Sequence, residues 1–157
     1  MTFEQIGTIF TPYETREGMP IQSNGAKGIK GEIIINSEYS VGLNDLIDFS
    51  HIILIYHFHK SEGFDLETKP FLDTQKRGVF ATRAPRRPNA IGISVVKLLA
   101  IKDNILYIEN VDILNETPLL DIKPYIPEFD NHQVEKKGWI ENKIKNLNNI
   151  KSDNRFM

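Results

Sequence analysis

Residues 91–113 read IGISVVKLLAIKDNILYIENVDI, two apolar runs separated by the polar knot Lys102-Asp103-Asn104. Branched side chains suit a pleated surface. A short polar break between two such runs marks a tight hairpin, so 91–101 and 105–113 are expected as paired strands. More strands are expected on either side. The run 51–59, HIILIYHFH, is apolar or aromatic at odd and even positions alike, which suits a strand buried on two faces. Segments 3–10, 29–35, 79–83 and 119–125 complete a set of seven.

Helical signal is scarce. Leu43, Leu46 and Ile47 have helical spacing over a turn or two, and Ile140, Ile144 and Leu147 share a helical face beside Trp139. Nothing alternates strands with long amphipathic helices, as a doubly wound sheet requires. Short strands with turns between them point to a barrel or a sandwich.

Composition bounds the rest. A chain of 157 residues suits one core, and 40% hydrophobic with 25% charged residues is ordinary for a globular domain. The absence of cysteine excludes disulfide and thiolate chemistry and fits a reducing compartment. The N-terminal MTFEQIGTIFTPYE has no signal-peptide pattern, and the longest apolar stretch, IILIY, is too short to span a bilayer. A cytoplasmic protein with no membrane partner is expected. The net charge of −2 argues against coating DNA, so no DNA partner is expected either.

One stretch breaks the acidic balance. Residues 76–97, KRGVFATRAPRRPNAIGISVVK, hold six of the nineteen Lys and Arg residues and no acid. Strand parity sets Val79, Ala81 and Arg83 on one face, and two prolines make 84–89 a rigid loop that presents Arg86 and Arg87. Rigid guanidinium forks make good anion receptors, and with no acid nearby an anionic ligand is favoured over a solvated turn. His51, His57 and His59 share odd parity, so a metal site on His57 and His59 competes with histidines that touch a ligand or pack in the core. Asp121, Lys123 and Tyr125 alternate with apolar residues and can face one cavity, with Asn110 and Asp112 on the preceding strand. A solvated edge strand fits the same pattern. No Walker loop, Gly-rich dinucleotide turn or nucleophile elbow is present.

Three segments, GLNDLIDFSHIILIYHFHK (42–60), RGVFATRAPRRPNAIGISVVKL (77–98) and VDILNETPLLDIKPYIPEFD (111–130), resemble the TrmO family of tRNA methyltransferases. Ala84 and Ala90 replace a Ser and a Pro of the family's loop motif. Asn115-Glu116-Thr117-Pro118 stands where the family has D-G-T-P. The resemblance implies a mainly β, small single β-barrel with a few short helices, a non-Rossmann methyltransferase fold. The barrel is expected over 1–135, then a C-terminal helix and polar tail over 136–157, with no second domain.

By the same resemblance the protein uses S-adenosyl-L-methionine to methylate N6 of threonylcarbamoyladenosine at position 37 in a tRNA anticodon loop, as a homodimer. Cofactor contacts are expected from Pro20, Ile21, Gln22, His59, Lys60, Arg83, Ile93, Asn110, Val111 and Asp112. Arg86 and Arg87 are expected to hold the tRNA. Asp121 is the expected base, supported by Lys123 and Tyr125, with Asn89 on the adenine edge and His57 packed or hydrogen-bonded inside. No metal is expected. Two alternatives stand beside this: a noncatalytic RNA-binding β-barrel, and a metal-dependent small-molecule enzyme using His57 and His59.

Overall fold

The computed structural model describes residues 1–143 and 151–153. Its strands are β1 (Gly7–Phe10), β2 (Lys30–Ile35), β3 (His51–His57), β4 (Glu67–Thr68), β5 (Arg77–Gly78), β6 (Ile91–Lys102), β7 (Ile105–Glu109) and β8 (Thr117–Pro124). Six of them close an antiparallel barrel in the order β1-β2-β7-β6-β3-β8, and β4 pairs only with β5. The helical pieces are short: 3-10 turns and one four-residue helix, α1 (Pro127–Asp130). Among the described residues no helix is long and apolar enough to cross a membrane.

Alternation builds the interior. Ile9, Ile33, Ile35, Ile52, Leu54, Val96, Leu106, Ile108 and Leu119 point inward, and none is more than 2% exposed. The hairpin at the centre of the sequence forms as expected, with Lys102 paired to Ile105 and Asp103 at a φ of 53°. Two bulges adjust the register. One lies between Leu98 and Ala100 of β6, the other opposite Ile55/Tyr56 of β3, where the partner steps from Asp121 to Leu119. Each adds a residue to one strand and changes which parity faces inward beyond it. Hence Leu98 and Ile101 both meet the core.

Five expectations need correction. Strand β3 buries one face only: Ile52, Leu54 and Tyr56 are inside, while the odd positions face the outer wall. Residues 79–83 are not a strand; Thr82 bonds back to the carbonyl of Val79 through both its amide and its hydroxyl, which curls Val79–Ala81 into a 3-10 turn. Residues 3–6 lie outside β1, and β7 stops at Glu109 because Asn110 takes a left-handed φ of 69°. Near the C-terminus Gly138–Ile140 is a single 3-10 turn, and the expected helical positions Ile144 and Leu147 lie outside the described residues.

Gly92 shows how tightly the barrel end is packed. A Cβ there would stand 2.3 Å from the Tyr56 ring and 2.9 Å from Phe58. Glu116, in contrast, carries a side chain at a φ of 60°, at the position where the TrmO motif has glycine. A left-handed conformation costs an L-residue roughly 1–2 kcal/mol, partly offset by the greater freedom of glycine in the unfolded chain. Glu116→Gly should therefore stabilise the fold by about 0.5–1 kcal/mol, measured by urea denaturation.

Candidate functional site

A cavity of about 130 Å³ opens at the barrel end where β3 finishes. Tyr56, Phe58, His59 and Lys60 form one wall, Asp112, Ile113 and Thr117 another, and Met19 with Pro20 a third. Its polar centre is buried. Ser94 Oγ donates to Asp112 Oδ1 at 2.7 Å and lies 3.0 Å from Tyr56 Oη. Serine has one proton to give, and it goes to the carboxylate, so Tyr56 donates to Ser94. The chain Tyr56–Ser94–Asp112 delivers its hydrogen bonds to a partly buried carboxylate.

Burial raises the Asp112 pKa above its ordinary value, against the opposing pull of the Ser94 hydrogen bond and the Arg83 charge. Burial and the Asp112 charge likewise push Tyr56 well above the usual phenol range. His59 is shifted the other way: desolvation first, then Lys60 and His57, lower its pKa and favour the neutral ring. Its Nδ1 lies 3.4 Å from Thr117 Oγ1, whose proton is committed to the Leu114 carbonyl. Nδ1 therefore carries the ring proton, which leaves Nε2 as an acceptor. That atom is buried and has no hydrogen-bond partner among the described residues. An unpaired buried acceptor is costly, so the cavity is chemically incomplete.

The loop carrying Pro20–Gln22 is held from two sides. Arg83 Nη1 donates to Gln22 Oε1 at 3.0 Å. On the other side Ser152 clasps the chain: its amide donates to the Met19 carbonyl (2.8 Å), its carbonyl accepts from Gly18, and its hydroxyl accepts from Met19 and donates to Arg16. Pro20, His59, Lys60 and Asp112 thus line one cavity, while Gln22 and Arg83 are joined to each other outside its lining. Val111 packs wholly inside the core, and Asn110 turns the chain while its side chain accepts from the Gly28 amide at 3.0 Å. Ile21 is half-buried and does not line the cavity. Ile93 faces outward and is 52% exposed.

The remaining expected site residues lie elsewhere. Asp121 and Lys123 form an ion pair at 2.8 Å on the outer wall of β8, and Tyr125 packs edge-on to His51. They are neighbours of one another but do not line this cavity; the sheet's parity turns Asp121 and Lys123 away from the interior. His57 and His59 also part company, because β3 ends at His57 and the chain turns. His59 faces the first cavity, while exposed His57 lines a second one rather than packing inside. Among the described residues no group of three or more His, Asp or Glu is placed to hold a metal.

The basic stretch is less bare than its sequence. Asp65 pairs with Arg86 at 2.9 Å, Glu109 with Lys97 at 4.0 Å, and Asp73 with Arg77 at 2.7 Å. Asp73 also binds Lys143 at 2.5 Å, and these two cations hold its carboxyl well below the usual range. Arg87 turns inward to the carbonyls of Thr82 and Ala84. Acids outside the stretch supply the neutralisation that it lacks. The sequence reading missed Tyr56, Ser94 and Ser152. Ser94 alone left a signal, a hydroxyl among the otherwise apolar inward positions of its strand.

Residues 8–131 match the family described as the tRNA-methyltransferase O N-terminal domain. The chain belongs to that family. It is 50% identical to a probable S-adenosyl-L-methionine-binding protein of Pyrococcus abyssi, across 98% of this chain and 84% of that one. It is 39% identical to the tRNA (adenine(37)-N6)-methyltransferase of Escherichia coli, across 80% of this chain but 57% of the relative. The crystal structure of TrmO from Pseudomonas aeruginosa superposes with a TM-score of 0.75 and 31% identity, over 88% of this chain and 62% of that one.

A raised Asp112 pKa means that the native state binds more protons than the unfolded chain just above the ordinary value of 3.8. Stability therefore falls as pH rises through the raised pKa and stays lower above it. Asp112→Asn keeps an acceptor for Ser94 and removes the buried charge. The variant should have a higher urea midpoint than the native chain at pH 7, and the gap should close as the pH falls below 3.8.

Proposed function

We propose that this protein is an S-adenosyl-L-methionine-dependent tRNA methyltransferase acting on N6 of adenine 37, and that its substrate adenine carries the threonylcarbamoyl group. The observation that carries this assignment is the convergence of Pro20, His59, Lys60 and Asp112, which the TrmO resemblance nominates for the cofactor, on one partly buried cavity. Membership of the family and the names of its relatives support the reaction type. A cytoplasmic location goes with a tRNA substrate.

The residues present suit the cofactor. Buried His59 Nε2 offers an acceptor for an amino or hydroxyl group, and Asp112 offers a carboxylate in an otherwise apolar setting. Such a ligand brings its own electrophilic methyl group, so the protein's work is to align the acceptor nitrogen and exclude water. Tyr56, Phe58 and Phe71 supply apolar walls, and Ser94 with Tyr56 fixes the Asp112 carboxylate.

N6 must also lose a proton, and the proposed base is Asp121, oriented by Lys123, with Tyr125 beside it and Asn89 on the adenine edge. Asp121 cannot reach the cavity of its own chain. It flanks Ile55 on the outer wall, with Ile93 on the other side of the same residue. A homodimer that brings this wall against the partner's cavity places the proposed base and the outward Ile93 at one shared site. The cavity's small volume, below the usual range for an enclosed ligand, fits a site with a missing wall.

Calorimetry should show saturable binding of S-adenosyl-L-methionine, one per chain, weakened at least about tenfold by Asp112→Asn. Labelled methyl should appear in tRNA containing threonylcarbamoyladenosine, and no transfer to any tRNA would overturn the assignment. Asp121→Asn should slow single-turnover transfer about a hundredfold with cofactor affinity unchanged. Mixing the Asp112→Asn and Asp121→Asn chains should recover activity if each site draws on both subunits. No recovery from mixed dimers would return the base role to a residue within one chain.

A further inference from the structure

The second cavity, about 590 Å³ and open to solvent, adjoins the first. Segment 57–61 is the partition between them: His57 lines the second, His59 and Lys60 the first, and Ser61 both. At its rim stands Phe64, an aromatic ring 55% exposed and without a ring partner among the described residues. Exposed aromatics on mobile loops are common enough, but this one is anchored. Gly63 turns the chain at a φ of 63°, Asp65 pairs with Arg86 at 2.9 Å, and the Leu66 carbonyl accepts from Val79 at 2.9 Å. An apolar ring held rigidly in water loses little entropy when something stacks on it.

The polar groups around it are selective. The side chains of His57 and Asn89 line this cavity and have no hydrogen-bond partner among the described residues, so a ring nitrogen and an amide edge are available to a ligand. Arg87, the cation of this cavity, spends one guanidinium nitrogen on loop carbonyls and keeps its charge beside the opening. A flat platform, a donor–acceptor edge and a cation are what a nucleotide lifted out of a single-stranded loop requires.

We propose that this second cavity receives a purine base extruded from single-stranded RNA, with Phe64 as its stacking platform and His57 and Asn89 reading its edge. The proposal rests on the methyltransferase assignment for the identity of that base as the methyl acceptor. It makes His57 a specificity residue and Phe64 a positioning surface. Ser61 lines both cavities, so a base seated in the second can bring its N6 to the rim of the first, where nothing need stand between donor and acceptor.

The test uses the full-length protein and an anticodon stem-loop RNA with adenine, or an abasic residue, at the target position. Phe64→Ala should lower kcat/KM for the adenine RNA at least tenfold and leave the S-adenosyl-L-methionine Kd unchanged. Phe64→Trp should restore turnover. Its fluorescence, above that of the native Trp139, should be quenched by the adenine RNA and not by the abasic one. Unchanged kcat/KM in Phe64→Ala, or equal quenching by both RNAs, would overturn the proposal. If the native protein transfers no methyl group to any RNA, the methyltransferase assignment fails. The quenching comparison then still decides whether the cavity holds a base.

Discussion

Strand β8 pairs with β1 on one side and β3 on the other, and that double pairing closes the barrel. Without it two strands would end in open rows of backbone donors and acceptors, and the interior would lose Leu119 as a wall. Closure also forces every strand to divide its residues between an inner and an outer face. The branched residues take the inner set, and what remains must face solvent or another surface. The candidate site sits where this division breaks down, at the end of β3, because there the inward residues are Tyr56 and Ser94 rather than aliphatics.

A carboxylate placed near that end would be expensive alone. Asp112 is tolerated because Ser94 donates to it at short range and Arg83 lies close enough to oppose its protonation. His59 shows the complementary condition, a buried acceptor with its partner missing. The two leave the site electrostatically unbalanced. In the proposed function one cationic, donor-rich cofactor would satisfy both conditions and so connect the stability of the barrel end to its occupancy.

The loop 82–89 is rigid for reasons beyond its prolines. Arg87 ties it to its own carbonyls, Arg86 ties it to Asp65, and Arg83 ties it to Gln22. Guanidinium groups that looked like a free anion receptor are therefore also the loop's scaffold. Each retains unspent donors after making these bonds, because a guanidinium has five and one neighbour seldom uses them all.

The barrel was largely legible in the residue pattern, since local alternation decides which side chains a strand can bury. The hairpin 91–113 and the apolar runs at 29–35 and 51–59 carry that information within a few residues. Motif order likewise placed Pro20, His59, Arg83 and Asp112 together on the strength of resemblance. What the pattern could not carry was any relation between distant positions. The partners of Arg86 and Lys97, the parting of His57 from His59, and the outward turn of Asp121 follow from strand ends, bulges and closure. Ser152 meets Met19 for the same reason: chain segments far apart in sequence are brought together only when the barrel end is built. Local residue types determine the strands, but only the three-dimensional arrangement decides which charges meet and which face a shared cavity.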